Sequence, residues 1–226
     1  MNVAVILAAG SSTRMGQGIK KEYMTYKGKP LLHHGVETFL NTGLFDKIVL
    51  VCREDYIEAT QDMLNDLKGL DFIVGGSTRQ ESVYLSLLYL KDYSPHYVLI
   101  HDGARPFVSP PTIEAVIKKT KAKGAAIPVE PATNTMKIVD GEGRITNHLH
   151  RASTKGAQTP QGFEYTSLLD AHEKARNSTE EFTDDSEIWD RFVTPVFTVE
   201  GNRENDKITY LSDLNALGIA VEEENR

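Results

Sequence analysis

Five apolar runs of strand length, separated by stretches of helical period, constrain this 226-residue chain more than any other feature. The runs are residues 3–8, 47–52, 72–74, 97–101 and 125–129. They are rich in β-branched residues and continuous rather than alternating, the pattern of strands buried on both faces of a sheet. Between them, Tyr56, Ala59, Met63 and Leu67 share one helix face, as do Val83, Leu87 and Leu90, and Ile113, Val116 and Ile117. Pro111 suits the first turn of that last helix. This alternation predicts a doubly wound α/β fold, with a mostly parallel sheet covered by helices on both sides. Ligands of such sheets bind beyond the carboxyl ends of the strands, so the segments just after each strand are the candidates for a site.

The rhythm breaks between about residues 131 and 151. Residues 135–139 and 144–146 flank Asp140-Gly141-Glu142-Gly143, which predicts a β-hairpin with Asp-Gly as its turn. A hairpin of this size builds no core of its own. It must pack on its own domain's edge or on a second subunit, and the pattern alone leaves both open. The length suits one domain over 1–226, with 131–151 as an inserted arm.

Composition narrows the class. Hydrophobic residues at 40% and charged residues at 25% exclude a disordered chain. The net charge of -7 argues against nucleic acid as a partner, although one basic pocket suffices for a nucleotide. Cys52 is the only cysteine, so an internal disulfide and a cysteine-rich zinc site are excluded, and a reducing cytoplasm is the expected compartment. No signal-peptide pattern opens the chain, and no apolar run is long enough to span a bilayer, so no membrane role is expected.

The strand-end segments carry the chemistry. Ala8-Ala9-Gly10-Ser11-Ser12-Thr13-Arg14-Met15-Gly16 is a small-residue loop whose backbone N–H groups can approach an anion, with Arg14, Lys20 and Lys21 adding charge. It matches neither the G-x-x-x-x-G-K-[ST] loop nor the G-x-G-x-x-G fingerprint, which disfavours an ATPase and a nicotinamide dehydrogenase. Gly75-Gly76 precede a helix in which Ser82 either caps the first turn or reads a base edge. Asp102 and Arg105, in His101-Asp102-Gly103-Ala104-Arg105-Pro106-Phe107, can serve a metal–phosphate unit and a second phosphate, or pair with each other. Gln158-Thr159-Pro160-Gln161 follows Arg151 and Lys155. Thr183-Asp184-Asp185-Ser186 reads as a helix N-cap, and Asn205-Asp206-Lys207-Ile208-Thr209 is the last such segment. His33, His34, His148 and His150 lack partners at ligand spacing, and Cys52 lies in an apolar strand where a thiol is inert.

Taken in order, these motifs resemble the 2-C-methyl-D-erythritol 4-phosphate cytidylyltransferase family of sugar-phosphate nucleotidyltransferases. The resemblance rests on Leu7-Ala8-Ala9-Gly10 through Arg14-Met15-Gly16, Lys21-Glu22-Tyr23, Gly75-Gly76 with Arg79 and Ser82-Val83, His101-Asp102 with Ala104-Arg105-Pro106-Phe107, Asn134-Thr135-Met136-Lys137, Thr159-Pro160-Gln161, Thr183-Asp184-Asp185 and Lys207-Ile208-Thr209. It implies transfer of CMP from CTP to a polyol phosphate with release of pyrophosphate, with Mg²⁺ accompanying the CTP, in a homodimer. Arg14, Lys21 and Lys207 would be catalytic. Ala8, Ala9, Gly10, Gly75, Gly76, Ser82, Asp102 and Ala104 would bind the nucleotide, with Asp102 also at the metal. Arg105, Thr135, Arg151, Thr159, Thr183 and Lys207 would bind the polyol phosphate, Thr135 and Arg105 completing the partner's site across a dimer formed by the arm.

The chain departs from the family pattern at Glu22, where Gln is usual, at Asn134, where Asp is usual, and at Asp206 and Leu211. The first three touch the electrostatics on the acceptor side and bear on which polyol is used. The rivals are a ribitol-5-phosphate cytidylyltransferase with the same CTP site and a non-catalytic nucleotide-binding protein. Thr135-Met136-Lys137 with Arg151 favours the methylerythritol enzyme over the first. The set Arg14, Lys21, Asp102 and Lys207 argues against the second.

Overall fold

The computed structural model describes residues 1–10 and 20–219. Its sheet begins with β1 (Asn2–Leu7), β4 (Lys47–Cys52), β5 (Leu70–Val74) and β6 (Tyr97–Asp102), preceded in part by a small hairpin of β2 (Thr25–Tyr26) and β3 (Lys29–Pro30). β1 lies between β4 and β6, and β4 continues to β5, all in parallel. The chain therefore builds outward from β1 on one side, then returns to its other side. The β1/β6 boundary is the switch point of the sheet, where the loops leaving the two strands diverge and leave a crevice.

Beyond β6 the sheet becomes mixed while staying mostly parallel, as expected. β11 (Gln161–Glu164) enters antiparallel between β6 and β7 (Ala125–Pro131), so β7 runs in the same sense as β6, and β10 (Lys155–Ala157) pairs antiparallel with β7. β12 (Phe197–Glu200) runs parallel to β7. β10 and β11 are short, and one carries Gly156 and the other Gly162, so neither shows the apolar run by which a strand is read from sequence. At Gly162 a Cβ would stand 2.3 Å from Thr120 Oγ1. Only a glycine lets the helix above approach β11 this closely.

Residue parity along the parallel strands decides the two cores. Val3, Val5, Val49 and Val51 face one side, against Val83, Leu87, Leu168 and Trp189. Ala4, Ile6, Ile48 and Leu50 face the other, against Leu32, Val36, Phe39, Ile113 and Val116. The first layer comes from α3 (Arg79–Tyr89), α5 (Tyr165–Arg176) and α6 (Asp185–Phe192). The second comes from α1 (Leu31–Asn41) and α4 (Pro110–Lys123), with α2 (Ile57–Met63) beside β5. Two layers with alternate residues pointing into each is the doubly wound arrangement the apolar runs predict. α2 is shorter than its periodic face suggests: Tyr56 sits in a preceding 3₁₀ turn, and Leu67 falls past the helix end. Pro110 and Pro111 occupy the first turn of α4, whose N-cap is Ser109.

The predicted arm is a hairpin of β8 (Lys137–Val139) and β9 (Ile145–His148). Its turn differs from the expected one. The left-handed residue is Gly143, at φ 81°, while the Asp140 side chain accepts from the backbone N–H groups of Glu142 and Arg144. Asp140 thus fixes the loop as an Asx turn and Gly143 supplies the positive φ, so Asp-Gly is not the turning dipeptide. α7 (Leu211–Ala216) closes a small core in which Ile208 and Leu214 pack on Leu31.

Candidate active site

A cleft of about 430 Å³ opens at the switch point, beyond the ends of β1, β5 and β6. Ala9 and Gly10 continue β1, Gly76 and Thr78 follow β5, Asp102 ends β6, and Lys21, Glu22, Lys207 and Thr209 arrive from two other segments. These segments are tied by backbone. The Ile208 N–H donates to the Ala104 carbonyl at 2.9 Å, and the Ala8 N–H to the Val51 carbonyl at 2.8 Å. Lys21 Nζ donates to the Ile208 carbonyl at 2.7 Å, which draws a buried lysine to the segment carrying Lys207.

Asp102 is the electrostatic centre. Lys207 Nζ donates to Oδ2 at 2.8 Å, Arg79 Nε donates to Oδ1 at 3.2 Å, and Arg105 Nε stands 3.9 Å from Oδ2. Burial alone would raise the Asp102 carboxyl. Arg79 and then Lys207 outweigh it and hold the group well below the usual carboxylate range. Arg79 also reaches past Asp102, donating from Nη1 to Asp185 Oδ2 at 2.8 Å. Asp185 in turn accepts at Oδ1 from His172 Nε2 at 3.1 Å. Burial would raise Asp185 too, and Arg79 with His172 lowers it instead.

Beneath the cleft floor, His101 is fully buried and desolvation pushes it down to about 4. A neutral ring fixes its hydrogen bonds. The Asp102 N–H donates to Thr159 Oγ1 at 3.1 Å, and the Thr159 hydroxyl donates to His101 Nδ1 at 2.9 Å. His101 Nε2–H then donates to the Arg105 carbonyl at 3.0 Å. This chain of bonds locks the backbone that presents Asp102.

The glycine segment is built for close approach. A Cβ on Gly75 would lie 2.7 Å from the Ala9 Cβ and 2.9 Å from Ser82 Oγ, so only glycine lets this backbone meet the β1 loop. Ser82 is not the helix cap. Thr78 takes that place, its hydroxyl accepting from the Glu81 N–H at 3.0 Å. The Ser82 hydroxyl instead accepts from the Gly76 N–H at 3.1 Å and donates to the Thr78 carbonyl at 2.8 Å, at the cleft wall.

The expected site residues divide. Ala9, Gly10, Lys21, Gly76, Ser82, Asp102, Ala104 and Lys207 line the cleft. Ala8 and Gly75 lie directly behind it. Thr159 supports Asp102 from below, and its hydroxyl is spent on that bond. Arg105 turns onto its own chain, donating from Nη1 to the Asn205 carbonyl at 2.7 Å, which does not fit a reach toward a partner. Thr135 and Arg151 line a second groove of about 940 Å³ at the base of the arm, with Lys155 and Arg203. Thr183 is exposed ahead of α6 and lines neither space; Asp184 caps that helix as expected, accepting from the Glu187 N–H at 3.0 Å. Arg14 lies outside the described residues.

Two cleft residues escape a reading by motif roles. Arg53 stands at the rim, bonded to Asp55 and beside the Tyr56 ring. Arg79 belongs to the Gly75-Gly76 motif, but nothing in one sequence says that it pairs with Asp185, 106 positions away. Burial pushes the Cys52 thiol up to about 11, in keeping with an inert cysteine.

The model of the 2-C-methyl-D-erythritol 4-phosphate cytidylyltransferase family matches residues 2–223. The chain is 40% identical over 217 residues to the 2-C-methyl-D-erythritol 4-phosphate cytidylyltransferase of Clostridium kluyveri, covering 94% of this chain and 93% of that one. It is 37% identical over 215 residues to the bifunctional enzyme IspD/IspF of Brucella anthropi, covering 93% of this chain and 53% of that one, so it spans about half the length of such two-part relatives. The crystal structure of 4-diphosphocytidyl-2C-methyl-D-erythritol synthase from Anaerococcus prevotii superposes with a TM-score of 0.86 at 29% identity, over 96% of this chain and 94% of that one. A match that runs from β1 past α7, joined to a switch-point cleft holding the motif residues, shows that the chain belongs to the 2-C-methyl-D-erythritol 4-phosphate cytidylyltransferase family.

Proposed function

We propose that this chain transfers the cytidylyl group of CTP to 2-C-methyl-D-erythritol 4-phosphate, the reaction of its family in non-mevalonate isoprenoid synthesis, with the switch-point cleft as the nucleotide site. The observation that carries the reading is the convergence of Lys21, Asp102 and Lys207 on one cleft. A phosphate oxygen of the acceptor attacks the α-phosphorus in line, the bond to the β-phosphate oxygen breaks, and pyrophosphate leaves. The attacking phosphate is already ionised, so no general base is needed. Catalysis is positioning plus stabilisation of the charge growing on phosphoryl oxygens.

Lys21, bonded to the Ile208 carbonyl at the cleft wall, grips the triphosphate and the transition state together with Arg14. Ala8, Ala9, Gly10, Gly75, Gly76, Ser82 and Ala104 receive the base and ribose by close backbone approach. Lys207, bonded to Asp102 and the more exposed of the pair, turns to the acceptor phosphate. Mg²⁺ fits this site as a companion of the nucleotide. Among the described residues no cluster of three or more acidic, His or Cys side chains could hold a metal alone, and one ionised carboxylate plus phosphate oxygens is a usual Mg²⁺ set. Asp102 would be that carboxylate, and the ion, when bound, neutralises phosphate charge.

The acceptor side is completed at the arm. Met136, Ile138, Val139 and Ile145 on the hairpin are exposed, an apolar surface that supports pairing with a second copy and delivery of Thr135 and Arg151 there. No helix among the described residues is long and apolar enough to cross a membrane. The test is pyrophosphate release with CTP and Mg²⁺, comparing 2-C-methyl-D-erythritol 4-phosphate with ribitol 5-phosphate. Release with the first alone is expected. Release with the second alone overturns the acceptor, and silence with both overturns the reading.

A further inference from the structure

One buried line of charges joins three of the motifs through contacts that none of their assigned roles uses. It runs from Asp102 at the cleft through Arg79 to Asp185 and ends on His172. Asp185 and His172 are fully buried, and the Asp185 carboxylate touches the cleft only through Arg79. Two buried carboxylates share one guanidinium, whose Nη2 is buried without a hydrogen-bond partner among the described residues. The His172 Nδ1 is likewise buried and unpartnered. Burying such groups costs free energy, so the arrangement is expensive for a purely structural filler, which an apolar cluster beside Ile188 and Ala175 would supply more cheaply.

What the line does follows from which cation can leave Asp102. Lys207 Nζ is bonded to Asp102, and about a third of the lysine side chain is exposed. Arg79 is tied at both ends, to Asp102 by Nε and to Asp185 by Nη1. When a phosphate draws Lys207 away, Arg79 is the cation left hydrogen-bonded to Asp102, with Arg105 Nε 3.9 Å away, and it keeps the carboxylate aimed. It can do so only if something prevents it from swinging to the phosphate as well. We propose that Asp185, backed by His172, is a positioning residue that anchors Arg79 behind Asp102, so that Lys207 rather than Arg79 is exchanged to the ligand. This rests on the cleft being the nucleotide site.

Simple electrostatics predicts the opposite sign from positioning, which makes the idea testable. Removing the Asp185 charge leaves the cleft more positive, and through-space attraction alone would tighten binding of a triphosphate. Loss of positioning weakens it. The experiment measures the Kd of CTP with Mg²⁺ by calorimetry, and kcat and KM for each substrate, in wild type, Asp185→Asn, His172→Gln, Arg79→Met and Arg79→Met with Asp185→Asn. Asp185→Asn is expected to raise the CTP Kd about tenfold, the scale of one charge-assisted bond, by misplacing Asp102, and to raise the acceptor KM as well, because the exchange of Lys207 to the acceptor phosphate is then disturbed. His172→Gln, which retains a donor, is expected to show the same two effects at about threefold and serves as the milder variant if Asp185→Asn does not fold. In the Arg79→Met background Asp185→Asn should add nothing, since its effect passes through Arg79. Tighter or unchanged CTP binding in both folded variants overturns the proposal, as does an equal further loss in the Arg79→Met background. A wild type that neither binds CTP nor releases pyrophosphate overturns the functional reading instead.

Discussion

The switch-point cleft and the groove at the arm base are made of the same kinds of residue and are held in opposite ways. In the cleft, Lys21 is bonded to the Ile208 carbonyl, Arg79 to two carboxylates and Lys207 to Asp102, and the strand ends beneath are buried on both faces. In the groove, Thr135, Arg151 and Lys155 are exposed, and the hairpin above turns Ile138, Val139 and Ile145 to solvent. Among the described residues, folding of one chain therefore fixes the half of the site proposed to handle the nucleotide. It leaves the half assigned to the acceptor dependent on what packs against the arm. Preorganised charge is what phosphoryl transfer needs at the reacting phosphorus, while an acceptor can be gripped by groups that order on binding.

The hardest blow to this contrast is aimed at the cleft. Lys21→Met keeps the length of the side chain and removes the charge. Turnover should fall by about 10²–10³-fold, the scale of one lost transition-state donor, with thermal stability little changed. Steady-state pyrophosphate release checks it. A turnover within a few-fold of wild type would take Lys21 out of the chemistry.

Next in size is the acid response of the cleft floor. His101 binds its proton less readily folded than unfolded, because burial disfavours the cation. Its contribution to stability is therefore present above about pH 6.5 and is lost as pH falls toward about 4. At about 1.4 kcal/mol per tenfold change in proton affinity, the loss is about 3 kcal/mol. Asp102 and Asp185, both lowered, add a further loss below the ordinary carboxylate range. Urea unfolding between pH 7.5 and 4.5 measures the first part. His101→Gln, which retains a donor and an acceptor and does not titrate there, should flatten it. An equally steep limb in that variant would place the acid sensitivity elsewhere.

How much of this could be read from the sequence follows from what each part depends on. The parallel strands at the centre of the sheet were legible because burial on both faces forces continuous apolar runs, and β1, β4, β5, β6 and β7 each carry one. β10 and β11 were not, because strands of three and four residues that carry glycines bear no such run. The cleft residues were legible as motifs because glycine and charge at strand ends are local. The Arg79–Asp185 link and the bond from Thr159 to His101 join segments 106 and 58 positions apart, and only folding reveals them. The hairpin was legible and its turn was not: Asp140 caps the loop through its side chain, so the positive φ passes from Gly141 to Gly143.

The smallest expected effect sharpens the contrast from the groove side. Arg151 is exposed and lines the groove with Thr135 and Lys155. Arg151→Ala should therefore leave the melting temperature where it is, since an exposed side chain away from core, caps and ion pairs contributes little to stability. If the groove holds the acceptor phosphate, the variant loses one charge-assisted contact, and KM for 2-C-methyl-D-erythritol 4-phosphate should rise about tenfold. KM for CTP should stay within about twofold, because the cleft is fixed by its own network. If two copies pair through the arm as proposed, the same substitution made in one chain of a mixed dimer gives the finer answer. Arg151→Ala chains combined with Lys21→Met chains pair each defective cleft with one groove or the other. If the groove serves the partner's cleft, the intact cleft of each mixed dimer faces the intact groove of the Lys21→Met chain, and that site keeps the wild-type KM. If it serves its own chain's cleft, the only working cleft carries the raised KM. A raised KM for CTP equal to that for the acceptor would break the division itself, because it would mean that the arm and the switch point hold one ligand between them.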